Sequence, residues 1–275
     1  MKLRFKVLAV AAVALGTLLA GCGKSASAAP KTQNVSVGIV GADKTVWAAV
    51  QKQLDKENAH INLKIKEFGD YNQPNSSLQA GDIDLNAFQH QFFLDNWNKS
   101  NKGSLVSIGK TILAPLAVYS KKISSLKDLK KGDTVSIPND PTNEGRALEL
   151  LETAGFITLK NTELPTPADI KTNKLDLNVK PLDAAQLPRT LSDVDASVIN
   201  SGIAVDAKLN PEKAIYREKI TKKSQPWINI IVARKQDKNN KTYKKIVKAY
   251  QTKAVANVIK KTYKSTEVPA WNYKF

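Results

Sequence analysis

Apolar and polar residues alternate over 35–40 and again over 61–68, where Ile61, Leu63 and Ile65 share a face, and each run predicts a strand. Between them Val46, Trp47, Val50 and Leu54 recur at helical spacing and predict a helix over 44–57. A helix near 76–80, a strand at 83–88 and a helix over about 89–98 continue the series. This alternation points to an α/β lobe on a mainly parallel sheet. Residues 111–119 form a longer extended apolar run, a candidate crossing to a second lobe. There a strand at 134–138 precedes a helix over 142–154, with Ala147, Leu150, Leu151 and Ala154 along one face. Strands at 175–179 and 196–199 flank a helix at about 184–191. The strong strand at 227–233 is the candidate return crossing, and helices over 240–252 and 253–263 finish the chain. A chain that leaves one lobe and later returns makes a two-strand hinge, which permits closure around a ligand held between the lobes.

The N-terminus follows a different pattern. Lys2, Arg4 and Lys6 precede an apolar stretch over 7–20, shorter than the roughly 20 residues that span a bilayer. This is the layout of a secretory signal. Its end, Leu19-Ala20-Gly21-Cys22, resembles a bacterial lipobox, which implies cleavage before Cys22 and a lipid such as palmitate on its sulfur. Cys22 is the one cysteine of the chain, so no disulfide is expected. The Ser- and Ala-rich stretch that follows reads as a flexible tether. The expected organisation is a signal peptide over 1–21, a lipidated tether over 22–33, a first lobe over 34–115 plus 232–275, and a second lobe over 116–231. The expected location is the extracytoplasmic face of the cell membrane.

Charge adds one alternative. The formal charge is +17, and the last 42 residues hold 12 Lys or Arg against Asp237 and Glu267, or +10. Nucleic-acid binding would require basic residues interleaved with exposed aromatics or a known module, and an exported lipoprotein rarely meets nucleic acid. Solvated helix faces near an anionic membrane or wall explain the lysines. A surface adhesion or host-interaction lipoprotein using this basic C-terminal region is the alternative function.

No nucleophile elbow, zincin helix or phosphate-binding glycine loop occurs, and there are two histidines, His60 and His90. No catalytic residue, metal site or cofactor is therefore expected, and the protein is read as a non-enzyme. The informative stretch is Pro138-Asn-Asp-Pro-Thr-Asn-Glu-Gly-Arg146, where a strand ends and a helix begins. Helix N-terminal N–H groups suit an anion, and the planar fork of Arg146 suits a carboxylate in a bidentate grip. The residues alone equally allow a simple helix cap with a surface arginine. Phe88, His90, Phe92 and Phe93 cluster at another strand-to-helix turn near Phe68 and Tyr71. They read either as core or as an apolar pocket that suits a thioether. Asn200 and Asn229 are amides in apolar strands, and each must find hydrogen bonds within the fold or from a ligand.

Taken in order, several pieces resemble the substrate-binding lipoproteins of methionine ABC importers, the MetQ/NlpA family. They include Val37-Gly-Ile-Val, Phe68-Gly-Asp-Tyr71, Gly81-Asp-Ile-Asp-Leu-Asn-Ala-Phe-Gln-His90, Tyr119-Ser-Lys-Lys122, the Pro138 to Arg146 stretch, Gln186-Leu-Pro-Arg189, Val198-Ile-Asn200 and Trp227-Ile-Asn-Ile-Ile-Val232. The resemblance implies an α/β, two-lobed periplasmic-binding-protein-like (type II) fold with a two-strand hinge and a ligand cleft between lobes. It implies that Arg146 clamps an amino-acid carboxylate and that Asn200 and Asn229 fix the zwitterion. Phe68, Tyr71, Phe88 and His90 would surround the side chain, with Asn143 a further candidate. The implied partners are methionine or a methionine-like amino acid or dipeptide, an ABC permease with its ATPase subunit, and the membrane through the N-terminal lipid; no nucleic acid is expected, and the protein is expected to be a monomer. Phe92-Phe93 stands where family members often carry Pro-Tyr, and Trp227-Ile-Asn229 where they often carry Tyr-Val-Asn, which leaves the side-chain preference open.

Overall fold

The computed structural model describes residues 31–264 and 266–275. The expected signal, Cys22 and most of the tether lie outside the described residues. From Gln33 the chain builds a first lobe. Strand β1 (Gln33–Val40) leads through helix α1 (Lys44–Lys56) to β2 (Ile61–Phe68), then through α2 (Gln73–Ala80) to the short β3 (Leu85–Asn86). Helix α3 (Gln91–Asn101) follows, and β4 (Leu105–Leu113) leaves the lobe. The β-branched β1 lies parallel to β2 and β3, in unbroken register with β2 from Gln33 opposite Ile61 to Val40 opposite Phe68.

The second lobe opens with β5 (Ala117–Tyr119), β6 (Thr134–Pro138), α4 (Pro141–Thr153) and the hairpin β7 (Ile157–Leu159) and β8 (Ile170–Asn173). It continues with β9 (Asn178–Leu182), β10 (Ala196–Ile199), α5 (Ser201–Asp206) and β11 (Tyr216–Arg217). Strand β12 (Ile228–Arg234) returns to the first lobe, where α6 (Lys241–Tyr250), α7 (Lys253–Thr262) and β13 (Val268–Pro269) complete it.

Among the described residues the first sheet has the order β13-β4-β12-β3-β1-β2 and the second β11-β5-β10-β6-β9. Both are mixed sheets, not mainly parallel ones. In the first, β12 is antiparallel to β3 and β4 because one crossing strand departs and its neighbour returns. All pairings of β12 belong to the first sheet, so the chain re-enters it at Ile228, and the expected division at 231/232 falls inside this strand. An unbroken apolar run gives no cue to that point.

Other differences have local causes. The expected strand at 175–179 is a turn followed by β9, because Asp176 takes φ 48° and the Asn173 side chain bonds both N and O of Leu177. The expected helix at 184–191 is a 3-10 helix over Leu187–Ser192.

Each lobe has its own core. The first packs Val37, Ile39, Trp47, Val50, Ile246 and Ile259. The second packs Val118, Val135, Ile137, Leu148, Leu151 and Val198. A third apolar cluster joins Val40 and Phe88 of the first lobe to Ala117, Tyr119, Ile199 and Ile203 of the second. The lobes therefore meet along buried apolar surface, and the cleft between them is closed down.

Candidate ligand-binding site

The closed cleft is small, with a cavity volume of about 50 Å³, below the ~300–1,000 Å³ of open small-molecule sites. Of the eight residues singled out by sequence, Tyr71, Phe88, His90, Asn143, Arg146, Asn200 and Asn229 line it. Phe68 does not. It packs beside the interlobe cluster and a first-lobe one, against the position a Cβ on Gly38 would take, with the Lys66 ammonium 5.2 Å from its ring centre.

The Asn86-Ala-Phe-Gln-His90 run divides its labour. Asn86 and Gln89 are buried with Asn75 of α2 in an amide network: Asn86 Nδ2 and Gln89 Nε2 both donate to Asn75 Oδ1, and Gln89 Nε2 also donates to Asn86 Oδ1. This satisfied network fixes the backbone from which Phe88 and His90 reach the cleft. Phe88 meets Phe93 edge-on at 5.5 Å and Tyr71 at 5.8 Å, and Phe93 lies 6.1 Å from the His90 ring. Phe93, which the sequence left open between core and pocket, lines the cleft as part of the aromatic wall.

His90 is the N-cap of α3, its Nδ1 accepting from the Phe93 N–H at 3.0 Å. That leaves the proton on Nε2, which points at Asn143 Oδ1, 3.3 Å away. Burial and the nearby Arg146 charge push the His90 pKa down to about 3, so the ring is neutral. Asn143 is a hub. Its Oδ1 also accepts from Asn200 Nδ2 at 3.0 Å, while its Nδ2 donates to Asp140, the N-cap of α4. Asn200 Oδ1 is buried without a hydrogen-bond partner among the described residues.

Arg146 corrects the simplest expectation for its fork. It is 3% exposed, and its Nε and Nη2 already grip Glu218 at 3.0 and 2.5 Å. Nη2 also donates to the Ala114 carbonyl at 3.2 Å, and Trp227 stacks 4.7 Å from the guanidinium. Nη1 makes none of these bonds and is the nitrogen left for an anion. Glu218 gave no sequence signal, standing in a charged stretch. Phe92 and Trp227 pack edge-on at 5.4 Å, so both departures from the family pattern meet beside Arg146.

Sequence reasoning also missed Asp43, Tyr263 and Glu267, which line the cleft from the first lobe. Asp43 occupies the N-cap position of α1 but makes no capping bond with its side chain; it accepts instead from the Tyr263 hydroxyl at 2.7 Å. Burial raises its pKa to about 6. Burial, with Asp43 nearby, holds Glu267 well above the usual carboxylate range.

Residues 35–271 match the model of the NlpA lipoprotein family. The chain is 41% identical to a D-methionine-binding lipoprotein MetQ of Salmonella typhi, over 98% of this chain and all of that one. A nutrient-binding protein from Burkholderia cenocepacia, solved bound to methionine, is 47% identical with a TM-score of 0.82, covering 86% of this chain and 99% of that one. The substrate-binding protein of a methionine transporter from Streptococcus pneumoniae is 38% identical with a TM-score of 0.81, covering 86% and 96%. With the family model covering both lobes and full-length relatives at this identity, the chain belongs to the NlpA lipoprotein family.

Proposed function

We propose that this protein is the ligand-capturing lipoprotein of an ABC importer, anchored through Cys22 on the extracytoplasmic face as a monomer. It binds methionine, or a methionine-like amino acid or dipeptide, between its lobes and delivers it to a permease with its ATPase subunit. The observation that carries this reading is that the aromatic wall of Tyr71, Phe88 and Phe93 and the Arg146 guanidinium line one closed cleft. A thioether packs well against aromatic edges, and Nη1 with the Asn229 amide takes the carboxylate. Asn200, with an unpartnered Oδ1, takes part of the amino group. His90 and Asn143 hold the two sides in register. The protein carries out no chemistry in this role. Its relatives favour transport over the adhesion alternative.

Closure is driven by contacts made to both lobes at once, since only differential affinity shifts such an equilibrium. The crossings at 114–116 and 218–227 bend while each core stays packed. The test is calorimetry and thermal unfolding on protein unfolded and refolded to strip carried ligand. A ligand at about 100 times its Kd raises stability by about 2.7 kcal/mol. Methionine or a methionyl dipeptide is expected to do so. A midpoint unmoved by any amino acid or short peptide rules the reading out.

A further inference from the structure

The first lobe brings two carboxyl groups to the cleft that the proposed function leaves unused. Glu267 is 1% exposed and its Oε2 has no hydrogen-bond partner among the described residues. Asp43 stands close enough to raise the pKa of Glu267 through its charge. Among the described residues neither carboxyl forms an ion pair with a lysine or arginine. A buried carboxyl without a cation is costly and calls for one. Arg146, the cation in the cleft, is already neutralised by Glu218.

The second lobe meets this pair at Asn200 and Ser201. Ser201 lies within hydrogen-bonding reach of Glu267, and its neighbour Asn200 carries the other buried, unpartnered oxygen of the described residues. We propose that Asp43, Glu267 and Asn200 Oδ1 form a subsite for a primary ammonium group, the α-amino group of the ligand. An ammonium has three donors and no acceptor, and these residues offer three acceptors without competing donors. Asp43 Oδ1 is occupied by the Tyr263 hydroxyl, which leaves its Oδ2 for the ligand.

This inference rests on the amino-acid-binding reading and deepens it. The carboxylate is read by the second lobe through Arg146 and the ammonium mainly by the first through Asp43 and Glu267. A zwitterion then bridges the lobes through its two charges, whereas a plain carboxylic acid leaves the acidic pair unmatched. The raised pKa values fit. In the ligand-free cleft the pair resists double ionisation, and an incoming cation favours the charged forms. Tyr71, Tyr250 and Tyr263 also lie near the pair and Tyr119 near Glu267, and among the described residues no lysine or arginine pairs with either acid.

The test compares methionine with 4-(methylthio)butanoate, which lacks only the α-amino group, on full-length wild-type protein and on an Asp43→Asn/Glu267→Gln variant by calorimetry. The wild type is expected to bind the deaminated acid at least ~30-fold more weakly than methionine, the size of a lost buried charge pair. The variant is expected to lose a similar factor for methionine and to stop distinguishing the two compounds. Its ligand-free thermal midpoint reports folding separately and is expected not to fall. Deaminated acid within ~3-fold of methionine on the wild type, or full methionine affinity in a folded variant, overturns the subsite alone. A wild type that binds neither compound, nor any other amino acid or short peptide, overturns the proposed function as well.

Discussion

Gly41 of the first lobe faces Gly202 of the second so closely that a Cβ on Gly41 would lie 2.9 Å from the Gly202 carbonyl oxygen. Gly41 also takes φ +77°, which favours glycine. The turn between β1 and α1 and the start of α5 thus meet backbone to backbone when the cleft is closed. Gly41→Ala is expected to hold the lobes apart, adding about 1–3 kcal/mol of backbone strain and lowering methionine affinity by ten-fold or more. Small-angle scattering with saturating methionine checks it: a variant that compacts like the wild type refutes the contact's role.

Glu218 anchors a buried cation. Glu218→Ala leaves Arg146 without its partner, and breaking a buried pair this way costs about 3 kcal/mol. A ligand carboxylate then offers replacement, so the methionine-induced rise in midpoint is expected to be larger in this variant than in the wild type. Chemical denaturation with and without methionine gives both numbers, and an unchanged ligand-free stability would contradict the pairing.

His90 is held neutral, with its pKa lowered to about 3. A depressed histidine contributes stability that is fully present above the unfolded value of about 6.5 and lost as pH falls from there toward 3. Its ring signal in a proton NMR titration is therefore expected to stay flat from pH 8 to pH 5. A midpoint near 6.5 would show that the buried Nδ1 cap is not formed.

Asp43 behaves in the opposite sense. Its folded pKa is raised to about 6, so it favours folding below about 3.8 and opposes it progressively as pH rises through 6. Asp43→Asn keeps an acceptor for Tyr263 and removes that penalty. The ligand-free variant is expected to be more stable than the wild type at pH 7.5, by up to about 3 kcal/mol, with the difference vanishing below pH 4. Equal pH profiles for the two proteins would refute it.

Much of this was legible in the sequence because local pattern and packing agree. The helical spacing of Val46, Trp47, Val50 and Leu54 matches the buried face of α1. In β2, Ile61, Leu63 and Ile65 are less exposed than Lys64 and Lys66, whereas β1 is buried on both faces from Val37 to Val40. The Pro138 to Arg146 stretch is strand, cap and helix as read, with Asp140 capping α4. What escaped reading depends on long-range partners. Glu218 matters because a chain crossing brings it to Arg146, 72 residues away. Asp43 looks like an ordinary helix cap until Tyr263, 220 residues on, claims its carboxylate. The six residues of α5 are too few to show a period.

The placement of β1 has a mechanical consequence. Its C-terminal end, Val40, stands at the cleft, and its N-terminal end, Gln33, lies seven residues back along the strand, where its side chain bonds Thr242 of α6. At about 3.3 Å per residue the chain toward Cys22 therefore joins the first lobe more than 20 Å from the ligand. The second lobe holds no chain end and is carried on two crossings. With the proposed lipid on Cys22, the leashed half would serve as a stator and the unleashed half as the moving jaw, so that gripping a ligand would do no work against the anchor.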